Sequence, residues 1–401
     1  MTSVSGEAKQ RASDKIARLA WRHLDLVSFW RESTEVIAGA VPHYQAPCWY
    51  TLDPASLLIT SHFNQDLPEI PGEWLAQEYY QDDVNNLAEV ARSERGLWTL
   101  HEATGGDPTA SPRWHANITL GGDQELIAAL RTPSGEVWGA LGLYREPGQP
   151  LFNDAELAFI RAVAPSLAEG ARRALLVGEA VDPEAPEAPG LIVLSGNWDV
   201  ESTTPGVQRW LAELPDGDPD AGKLPSSVLA VAGRALRTAE HPDQPGEVAV
   251  SRVLSRSGTW VVLHGAALVS SGARRVAVIV EPAHPARIAP LLMSAYGLTE
   301  REQEVTRLVL QGNSTAEIAQ RLVVSAHTVQ QHLKSIFDKD RRPQPPRPGR
   351  QGVLRTLRAP RARQRAPRDR APTVARRAAR RRRDHLSAAC RLEPAPAINL
   401  D

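Results

Sequence analysis

The hydrophobic residues of this chain follow two spacings, one typical of helices and one typical of strands. Helical spacing occupies three stretches of the first half, 14–40, 73–91 and 154–177. Shorter apolar runs of strand character lie between them at 46–50, 57–61, 97–100, 125–130 and 137–144. This order of helix, sheet and helix predicts an α+β domain over residues 13–177, preceded by a polar, disordered segment at 1–12.

A second group of strand and helix patterns follows the stretch VDPEAPEAPG, whose proline and acidic residues predict an extended linker over residues 178–190. Strand patterns then lie at 191–194, 248–253, 260–264 and 275–280, and helical patterns at 207–214 and 228–239. In this order of elements, residues 191–286 resemble a PAS-like fold. The chain is therefore expected to be a multidomain α+β protein.

The last apolar pattern predicts three short helices, at 300–310, 315–322 and 326–338. Gly312 is suited to end the first of them. Ser314 and Glu317 form a capping box for the second, and Ser325 is placed to cap the third. Because the connection between the second and third helices is so short, we expect them to cross steeply and to leave the outer face of the third helix open to a partner.

The third helix has one apolar and one polar side. Its apolar residues are expected to face inward: Val329, Leu333 and Ile336. Its polar residues are expected to face outward: His327, Gln330, Gln331, Lys334 and Ser335. Hydrogen-bonding side chains of this length can reach base edges and phosphates in a major groove, so the pattern favours recognition of double-stranded DNA.

These residues carry a family resemblance. The matching positions are Leu298-Thr299-Glu300-Arg301-Glu302, Glu317-Ile318-Ala319, Ser325, Thr328-Val329, His332, Ile336 and Lys339. Residues 287–340 resemble the LuxR-type helix-turn-helix of bacterial transcription regulators. The resemblance implies that Gln330, Gln331 and Lys334 face DNA. It also implies that Ser325, Thr328 and His332 cap the helix or touch the DNA backbone. The alternative is a small helical bundle that binds no nucleic acid.

The charge of this unit departs from what DNA binding favours. Residues 296–340 contain five Lys or Arg against six Asp or Glu. The position after Thr328-Val329, commonly Lys in the family, is Gln330 in this chain. Since neutralisation of phosphates supplies much of the affinity for DNA, a unit without positive excess is unusual.

The first sheet domain has a weaker resemblance of its own. Residues 116–175, with Trp138-Gly139-Ala140-Leu141, Tyr144-Arg145 and Phe152, are similar to GAF-type sensor domains of actinobacterial LuxR-type regulators. That resemblance implies a sheet face able to bind a small ligand. Five tryptophans are candidates to line the site: Trp49, Trp74, Trp98, Trp114 and Trp138. Packing in the domain core is the alternative that we favour for them.

Charge divides the chain into an acidic body and a basic tail. Residues 341–401 hold 18 Arg and no Lys against four acidic residues, whereas residues 1–340 hold 28 basic against 43 acidic residues. The tail is rich in Arg and Pro, lacks apolar periodicity and is expected to be disordered. One interpretation is an arm that binds nucleic acid without sequence preference.

We favour a different interpretation of the tail. The family's fourth helix is missing after Lys339, and the codons of residues 340–358, read one base later, are compatible with TGVRSRRDLVGKVFFA followed by HYE. That string resembles the family's continuation. The hypothesis is that the reading frame is shifted at about Lys339, by mutation or sequencing error, and that the tail has no evolved role.

Composition narrows the compartment and the chemistry. The only cysteines are Cys48 and Cys390, no apolar run reaches the length of a membrane helix, and no basic start precedes an apolar segment. A cytoplasmic protein without a membrane partner is expected, with Cys48 as an inert core thiol.

The sequence has no glycine-rich phosphate loop, CxxC pair or HExxH. We therefore predict no catalytic residue, metal or cofactor, and no phosphoacceptor receiver domain.

The resulting prediction is a homodimeric transcription regulator that binds double-stranded DNA and responds to a ligand or partner through its N-terminal domains. RNA polymerase is a second candidate partner, and 154–177 is a candidate dimer helix. The rival from another class is a sensor or assembly protein. Without the fourth helix, it would bind nucleic acid only non-specifically, through the arginine-rich tail.

Overall fold

The protein is described by a computed structural model that covers residues 5–22, 24–64, 71–175, 188–242, 248–268 and 274–340. The arginine-rich tail, the segment of the frame-shift hypothesis after Asp340 and most of the predicted linker lie outside the described residues. Within them, the structure has two antiparallel sheets followed by a group of helices.

The first domain is built from five strands and seven α-helices. Its strands are β1 (Tyr44–Leu52), β2 (Ile59–Asn64), β3 (Leu97–Thr99), β4 (Gln124–Arg131) and β5 (Val137–Arg145). Its helices are α1 (Gly6–Leu19), α2 (Leu26–Ala40), α3 (Gly72–Tyr80), α4 (Leu87–Arg92), α5 (Leu100–Ala103), α6 (Pro112–Thr119) and α7 (Asp154–Leu175), and a 3-10 turn spans Pro108–Ala110. Strands β4 and β5 form a hairpin, with Gly135 of its turn in the left-handed region at φ 103°.

The strands of this sheet lie in the order β2-β1-β5-β4-β3, and every neighbouring pair is antiparallel. Because successive side chains alternate between the faces, the sheet has two different apolar surfaces. One packs against α1, α2 and α7 and includes Trp49, Leu126 and Leu141. The opposite surface carries Cys48 and Ile127. Helix α7, the candidate dimer helix, therefore packs its apolar side against this sheet within the same chain.

The second sheet repeats this arrangement. Its strands are β6 (Gly190–Ser195), β7 (Val200–Thr203), β8 (Val250–Leu254), β9 (Trp260–Leu268) and β10 (Arg275–Pro282), in the order β7-β6-β10-β9-β8. Two helices, α8 (Val207–Glu213) and α9 (Ser226–Glu240), cover one face, and a 3-10 turn spans Pro219–Ala221. In both sheets the first strand therefore lies between the second and the fifth. The PAS-like character of this domain stays a prediction.

The two sheet domains meet through a helix pair. Helix α3 of the first domain packs along α9 of the second. The approach is close at Gly233, where an added Cβ would lie 2.1 Å from the carbonyl oxygen of Ala76. The side chain of Asp216 also crosses the boundary, because its Oδ2 accepts a hydrogen bond of 2.8 Å from the amide of His62 on β2.

Four helices complete the described chain: α10 (Pro285–Ala295), α11 (Glu300–Leu310), α12 (Thr315–Leu322) and α13 (Ala326–Asp340). The predicted bounds of α11 and α12 agree with the structure. Gly312 follows α11 with φ 85°, and Ser314 and Glu317 make the predicted capping box. The buried face of α13 is formed by Val329 and Ile336, as expected from the pattern.

Three expectations about the first domain need correction. Residues 6–12 are helical rather than disordered, because Ser5 caps α1 and the helix is anchored downstream by buried Ile16 and Leu19. The predicted helix 73–91 is two helices, α3 and α4, interrupted near Asn85, whose φ is 62°. The pattern also missed α5 and α6 in this domain and β7 in the second domain, all of which are short or mostly polar.

Candidate nucleic-acid interface and ligand cavity

The helix-turn-helix is formed by α12, the turn at 323–325 and α13. The turn closes when the amide of Val324 donates to the carbonyl of Ala319 at 3.0 Å, a bond that satisfies one of the last carbonyls of α12. The Ser325 hydroxyl then accepts from the amide of Thr328 at 3.0 Å and lies 2.8 Å from the Thr328 hydroxyl. The predicted cap on α13 is thereby confirmed.

The outer side of α13 presents most of the predicted contact residues. The exposed residues of this set are Ser325, His327, Gln330, Gln331 and Lys334, while Thr328 and His332 are half-buried. The amide nitrogen of Gln331 lies 3.1 Å from Nε2 of His327, one helical turn away. No hydrogen bond or ion pair holds Gln330 or Lys334 within the described chain, so both can reach a partner.

The expected outward position of Ser335 is wrong. Its hydroxyl donates to Oε1 of Glu302 on α11 at 2.6 Å, and the residue is half-buried. Its position on the helix, one residue before buried Ile336, turns the side chain toward α11. Ser335 is thus a residue that joins two helices of the domain, and its hydroxyl is already engaged.

Glu302 is a structural residue that the sequence did not reveal. Its carboxylate accepts from Lys339 Nζ at 2.6 Å, from Ser335, and from the amide of Thr299 at 2.7 Å. Burial raises the pKa of Glu302, but the hydrogen bonds from Lys339, Ser335 and Thr299 outweigh it and lower the pKa to about 2. The spacing of Thr299 and Glu302 could have predicted their capping box. No neighbouring residue in the sequence indicates that Lys339 is the ion-pair partner of Glu302.

The domain is also tied to the first sheet domain. The hydroxyl of Ser294 on α10 donates to Oε1 of Glu136 at 3.0 Å, and the guanidinium of Arg172 on α7 donates to the carbonyl of Ala295. Helix α10 contributes Leu291 and Leu292 to the core cluster that contains the α7 side of the first sheet. Helix α10, which precedes the helix-turn-helix domain, is therefore packed on the first sheet domain.

A cavity of about 130 Å³ lies on the other face of the first sheet. Its floor is the sheet surface that carries Cys48, Tyr50, Glu125 and Tyr144, and helix α3 contributes Trp74, Leu75 and Glu78 to the wall. Glu125 on β4 lies directly across from Tyr144 on β5, which in turn lies across from Tyr44 on β1. These three side chains therefore share one row of the floor.

Charged residues of this cavity form a buried cluster. Arg113 makes ion pairs with Glu78 and with Glu125, the latter at 3.3 Å. Burial lowers the pKa of Arg113, but the two carboxylates outweigh burial and raise it. Burial raises the pKa of Glu78, and the ion pair with Arg113 offsets this only in part. The cluster thus holds two carboxylates against one guanidinium.

Of the five tryptophans proposed for a ligand site, one lines this cavity, Trp74. Trp49 and Trp138 are fully buried in the core, as the favoured alternative predicted. The ring of Trp98 is covered by the guanidinium of Arg95 at 4.4 Å, and the indole of Trp114 donates to Asp123 at 2.9 Å. Tyrosines, which the sequence did not single out, contribute most of the aromatic lining.

Cys48 is buried beside the cavity floor, and burial raises the pKa of its thiol to about 12. A thiol with so high a pKa is almost entirely protonated at neutral pH and reacts slowly with oxidants and alkylating agents. This agrees with the interpretation of Cys48 as an inert core residue.

No helix in the described part of the chain is long and apolar enough to cross a membrane.

Comparison with known proteins identifies the C-terminal unit. Residues 297–339 match the family of bacterial regulatory proteins, luxR family, and form a helix-turn-helix domain of that family. No curated protein matches the chain. A phycocyanobilin-bound GAF domain from a cyanobacterial phytochrome is 14% identical, with 42% of this chain and 93% of that chain covered and a TM-score of 0.30.

A bacteriophytochrome from the photosynthetic bacterium R. palustris is 11% identical, with 78% of this chain and 77% of that chain covered and a TM-score of 0.28. Both TM-scores are low. The fold of the sheet domains is therefore assigned from their strand order alone.

Proposed function

We propose that this protein is a sequence-specific DNA-binding transcription regulator that acts as a homodimer and responds to a small ligand or partner through its sheet domains. The observation that carries the proposal is the exposed row Gln330, Gln331 and Lys334 on α13, within a LuxR-family domain. Glutamine side chains can bond adenine edges in pairs, and the lysine can bond guanine or phosphate.

The positive charges available for phosphates are few. Lys339 is engaged by Glu302, and Arg301 bonds Glu304 and the carbonyl of Leu322. Arg307, Arg321 and Lys334 are exposed, and Arg307 bonds only the side-chain oxygen of Gln303. A single domain with three outward cations would bind DNA weakly, so affinity is expected to come from two domains on a two-fold site, with half-sites about one helical turn apart.

The signal is expected to travel through helix packing. Helix α3 forms the wall of the cavity on one side and packs on α9 of the second domain on the other. Helix α10 follows the second sheet and contacts Glu136 of the first domain through Ser294. A ligand that shifts α3 would alter the position of α10 and hence the spacing of the two DNA-binding domains. Such a ligand would act by favouring one of two conformations of the protein.

The test is selection of DNA sites from a random pool by the full chain, followed by footprinting on the selected site. Gln331→Ala should weaken the footprint and relax the sequence preference at one base pair, by about 1–3 kcal/mol of discrimination. Lys334→Ala should weaken binding to all sequences and lower the salt slope by about one. Lys15→Ala, an exposed lysine on α1, serves as the matched control. Unchanged footprints for both α13 variants would refute this surface.

The second candidate function is a sensor or assembly protein that binds nucleic acid only through its arginine-rich tail. The near balance of charge in residues 296–340, five basic against six acidic, favours it. In that case, removal of residues 341–401 should abolish binding that is steeply salt-dependent and independent of sequence. If selected sites are bound equally well without the tail, this second candidate is excluded.

A further inference from the structure

We propose that the cavity between α3 and the first sheet binds a small organic cation, such as an amine, with Glu125 as its counter-ion. The inference rests on the proposed function, because it names the chemical class of the ligand to which the regulator responds. It is argued from the charges, the hydrogen bonds and the shape of the cavity itself.

The cavity lining is negatively charged. Its charged residues are Glu78, Asp83, Glu125 and Arg113, three carboxylates and one guanidinium. Asp83 is used structurally, since it accepts from the Ser111 hydroxyl at 3.0 Å and the amide of Arg113 at 2.7 Å. Buried carboxylates in excess over cations are unfavourable unless a proton or another positive group neutralises one of them. A cationic ligand would supply that group.

Arg113 leaves no positive group for an anionic ligand. Its Nε donates to the carbonyl of Val84 at 3.1 Å, its Nη1 to Glu125, and its Nη2 to Glu78 and to Asn86 Oδ1 at 3.0 Å. An anion would have to displace these bonds and would meet the surrounding carboxylates. The lining therefore disfavours phosphate, carboxylate and similar ligands.

Glu125 retains capacity to accept a stronger donor. The residue is 1% exposed, and its three hydrogen bonds to described residues are all long: 3.3 Å from Arg113, 3.3 Å from Asn117 and 3.4 Å from Asn85. An N–H donor normally lies about 2.9 Å from a carbonyl or carboxylate oxygen, and charged donors lie closer. The carboxylate is thus buried but not saturated.

A second observation points to a ligand in the same place. Tyr50 is 7% exposed and lies on the cavity side of the sheet beside Cys48, and within the described chain its hydroxyl makes no hydrogen bond to a nitrogen or oxygen atom. A thiol is a weak partner, so the phenol is available to a ligand. Burial and the negative charge of neighbouring groups, including Glu125, raise the pKa of both Tyr50 and Tyr144.

The walls suit an organic cation. Tyr44, Tyr50, Tyr144 and Trp74 bring aromatic faces to the cavity, and Ile59 and Leu75 add apolar surface. Aromatic faces attract cations and also pack against carbon. Gly142 lies two residues before Tyr144 on β5, and an added Cβ there would lie 3.2 Å from the Tyr144 hydroxyl, so a larger residue would press on this lining side chain. A cavity of about 130 Å³ holds roughly one small ring, since benzene fills a cavity of about 150 Å³.

The test uses the full chain and three probes of the same ring: cyclopentylammonium, cyclopentanol and cyclopentanecarboxylate. Their binding is measured by calorimetry at neutral pH. The ammonium is expected to bind at least about 30-fold more tightly than the alcohol, a factor at the low end of the range for a buried charge pair. The carboxylate is expected not to bind. Because this comparison uses the unaltered protein, it does not depend on how a variant folds.

Glu125→Gln keeps the shape of the side chain and removes its charge. It should weaken binding of cyclopentylammonium about 30-fold or more and should abolish the preference over cyclopentanol. Glu146→Gln makes the same chemical change at an exposed carboxylate just after β5 and should leave the affinity unchanged. Gly142→Ala, whose Cβ would press on the Tyr144 side chain, should weaken binding of the ammonium and of the alcohol alike.

Three results would overturn the inference: no binding of cyclopentylammonium, equal or tighter binding of the carboxylate, or an unchanged affinity in Glu125→Gln. Each is distinct from a failure of the proposed function, which is measured by the footprint. A specific footprint without ammonium binding refutes the ligand class alone. Ammonium binding without any selected DNA site refutes the DNA-binding function alone.

Discussion

Asp53, in the turn after β1, accepts hydrogen bonds from both the backbone amide and the guanidinium of Arg252 on β8, each at 2.9 Å. The carboxylate is fully buried, although its partner belongs to the other sheet domain. In the opposite direction, Asp216 of the second domain accepts a hydrogen bond from the amide of His62 in the first domain. The two sheet domains are therefore joined by specific buried polar bonds in addition to the packing of α3 on α9.

Replacing Asp53 by Asn should destabilise the joined domains by about 3 kcal/mol, because Arg252 would keep its charge without a buried counter-ion. The free energy of unfolding in urea measures the effect. Asp199→Asn, at an exposed aspartate, is the matched control and should change stability by less than about 0.5 kcal/mol. A loss below about 1 kcal/mol for Asp53→Asn would mean that the pair is well solvated.

Gly233→Ala should force α9 away from α3, since the new Cβ would lie 2.1 Å from the backbone oxygen of Ala76. We expect a loss of about 2–3 kcal/mol. Gly39→Ala, in α2 with no atom within 4 Å of the added Cβ, should instead stabilise by up to about 1 kcal/mol. Thermal unfolding of the two variants should shift in opposite directions; a stable Gly233→Ala protein would contradict this close packing.

His62 should make stability depend on pH. Burial lowers its pKa from 6.5 to about 4, and its Nε2 has no hydrogen-bond partner in the described structure. The unfolded chain therefore takes up the proton first as pH falls. Stability from this group is complete above pH 6.5 and is lost between pH 6.5 and 4, at about 1.4 kcal/mol per pH unit.

His62→Phe, which keeps a ring against Tyr50, should remove this part of the pH dependence. Urea unfolding at several pH values between about 4.5 and 7 measures the slope, and His241→Phe at an exposed histidine is the control. Equal slopes for His62→Phe and the unaltered protein would show that the pKa of His62 does not differ between the folded and unfolded states.

How far the sequence predicts this structure depends on the distance between the residues that make each bond. The helix-turn-helix could be predicted almost to the residue because its signals are local: Ser314 and Glu317 are three residues apart, and Gly312 adjoins the helix that it ends. The family motif added the exposed row on α13. By contrast, Asp53 and Arg252 are 199 residues apart, and no periodicity or turn residue indicates that they meet.

The cavity could not be predicted from the sequence for a related reason. Glu78, Arg113 and Glu125 lie on α3, α6 and β4, and each alone resembles an ordinary surface charge in the sequence. Only the pairing of strands and the packing of helices bring them together. Ser335 was misplaced because a helical wheel does not show how far a neighbouring helix reaches around the side of α13.

Val323→Gly should stabilise the helix-turn-helix. Val323 is 91% exposed and has φ 54°, a left-handed conformation that is unfavourable for a β-branched residue. Relief of this strain is expected to contribute about 1 kcal/mol. Val324→Gly should destabilise instead, because Val324 packs partly against the core. Hydrogen exchange of the α13 amides reports on this domain; faster exchange in Val323→Gly would contradict the assigned strain.

Glu302→Gln should loosen the same domain at its opposite end. The carboxylate joins the first turn of α11 to the last turn of α13 through Lys339. The neutral amide would lose this charge pair and would leave Lys339 with only the carbonyl of Gly297, at 2.8 Å, as a hydrogen-bond partner. We expect a loss of about 2 kcal/mol, within the range for hydrogen bonds to charged groups. Hydrogen exchange of the last α13 amides should accelerate at neutral pH. Glu304→Gln, which breaks only the half-exposed pair with Arg301, should cost less than about 0.5 kcal/mol.

The pH dependence separates charge from shape in this network. Because the pKa of Glu302 is lowered from 4.5 to about 2 in the folded state, its stabilisation is complete above pH 4.5 and is lost as pH falls toward 2. The difference in exchange between the unaltered protein and Glu302→Gln should therefore be largest near neutral pH and shrink below pH 4.5. A difference that stays constant with pH would assign the effect of Gln to packing, and the ion pair with Lys339 would then contribute no net stability.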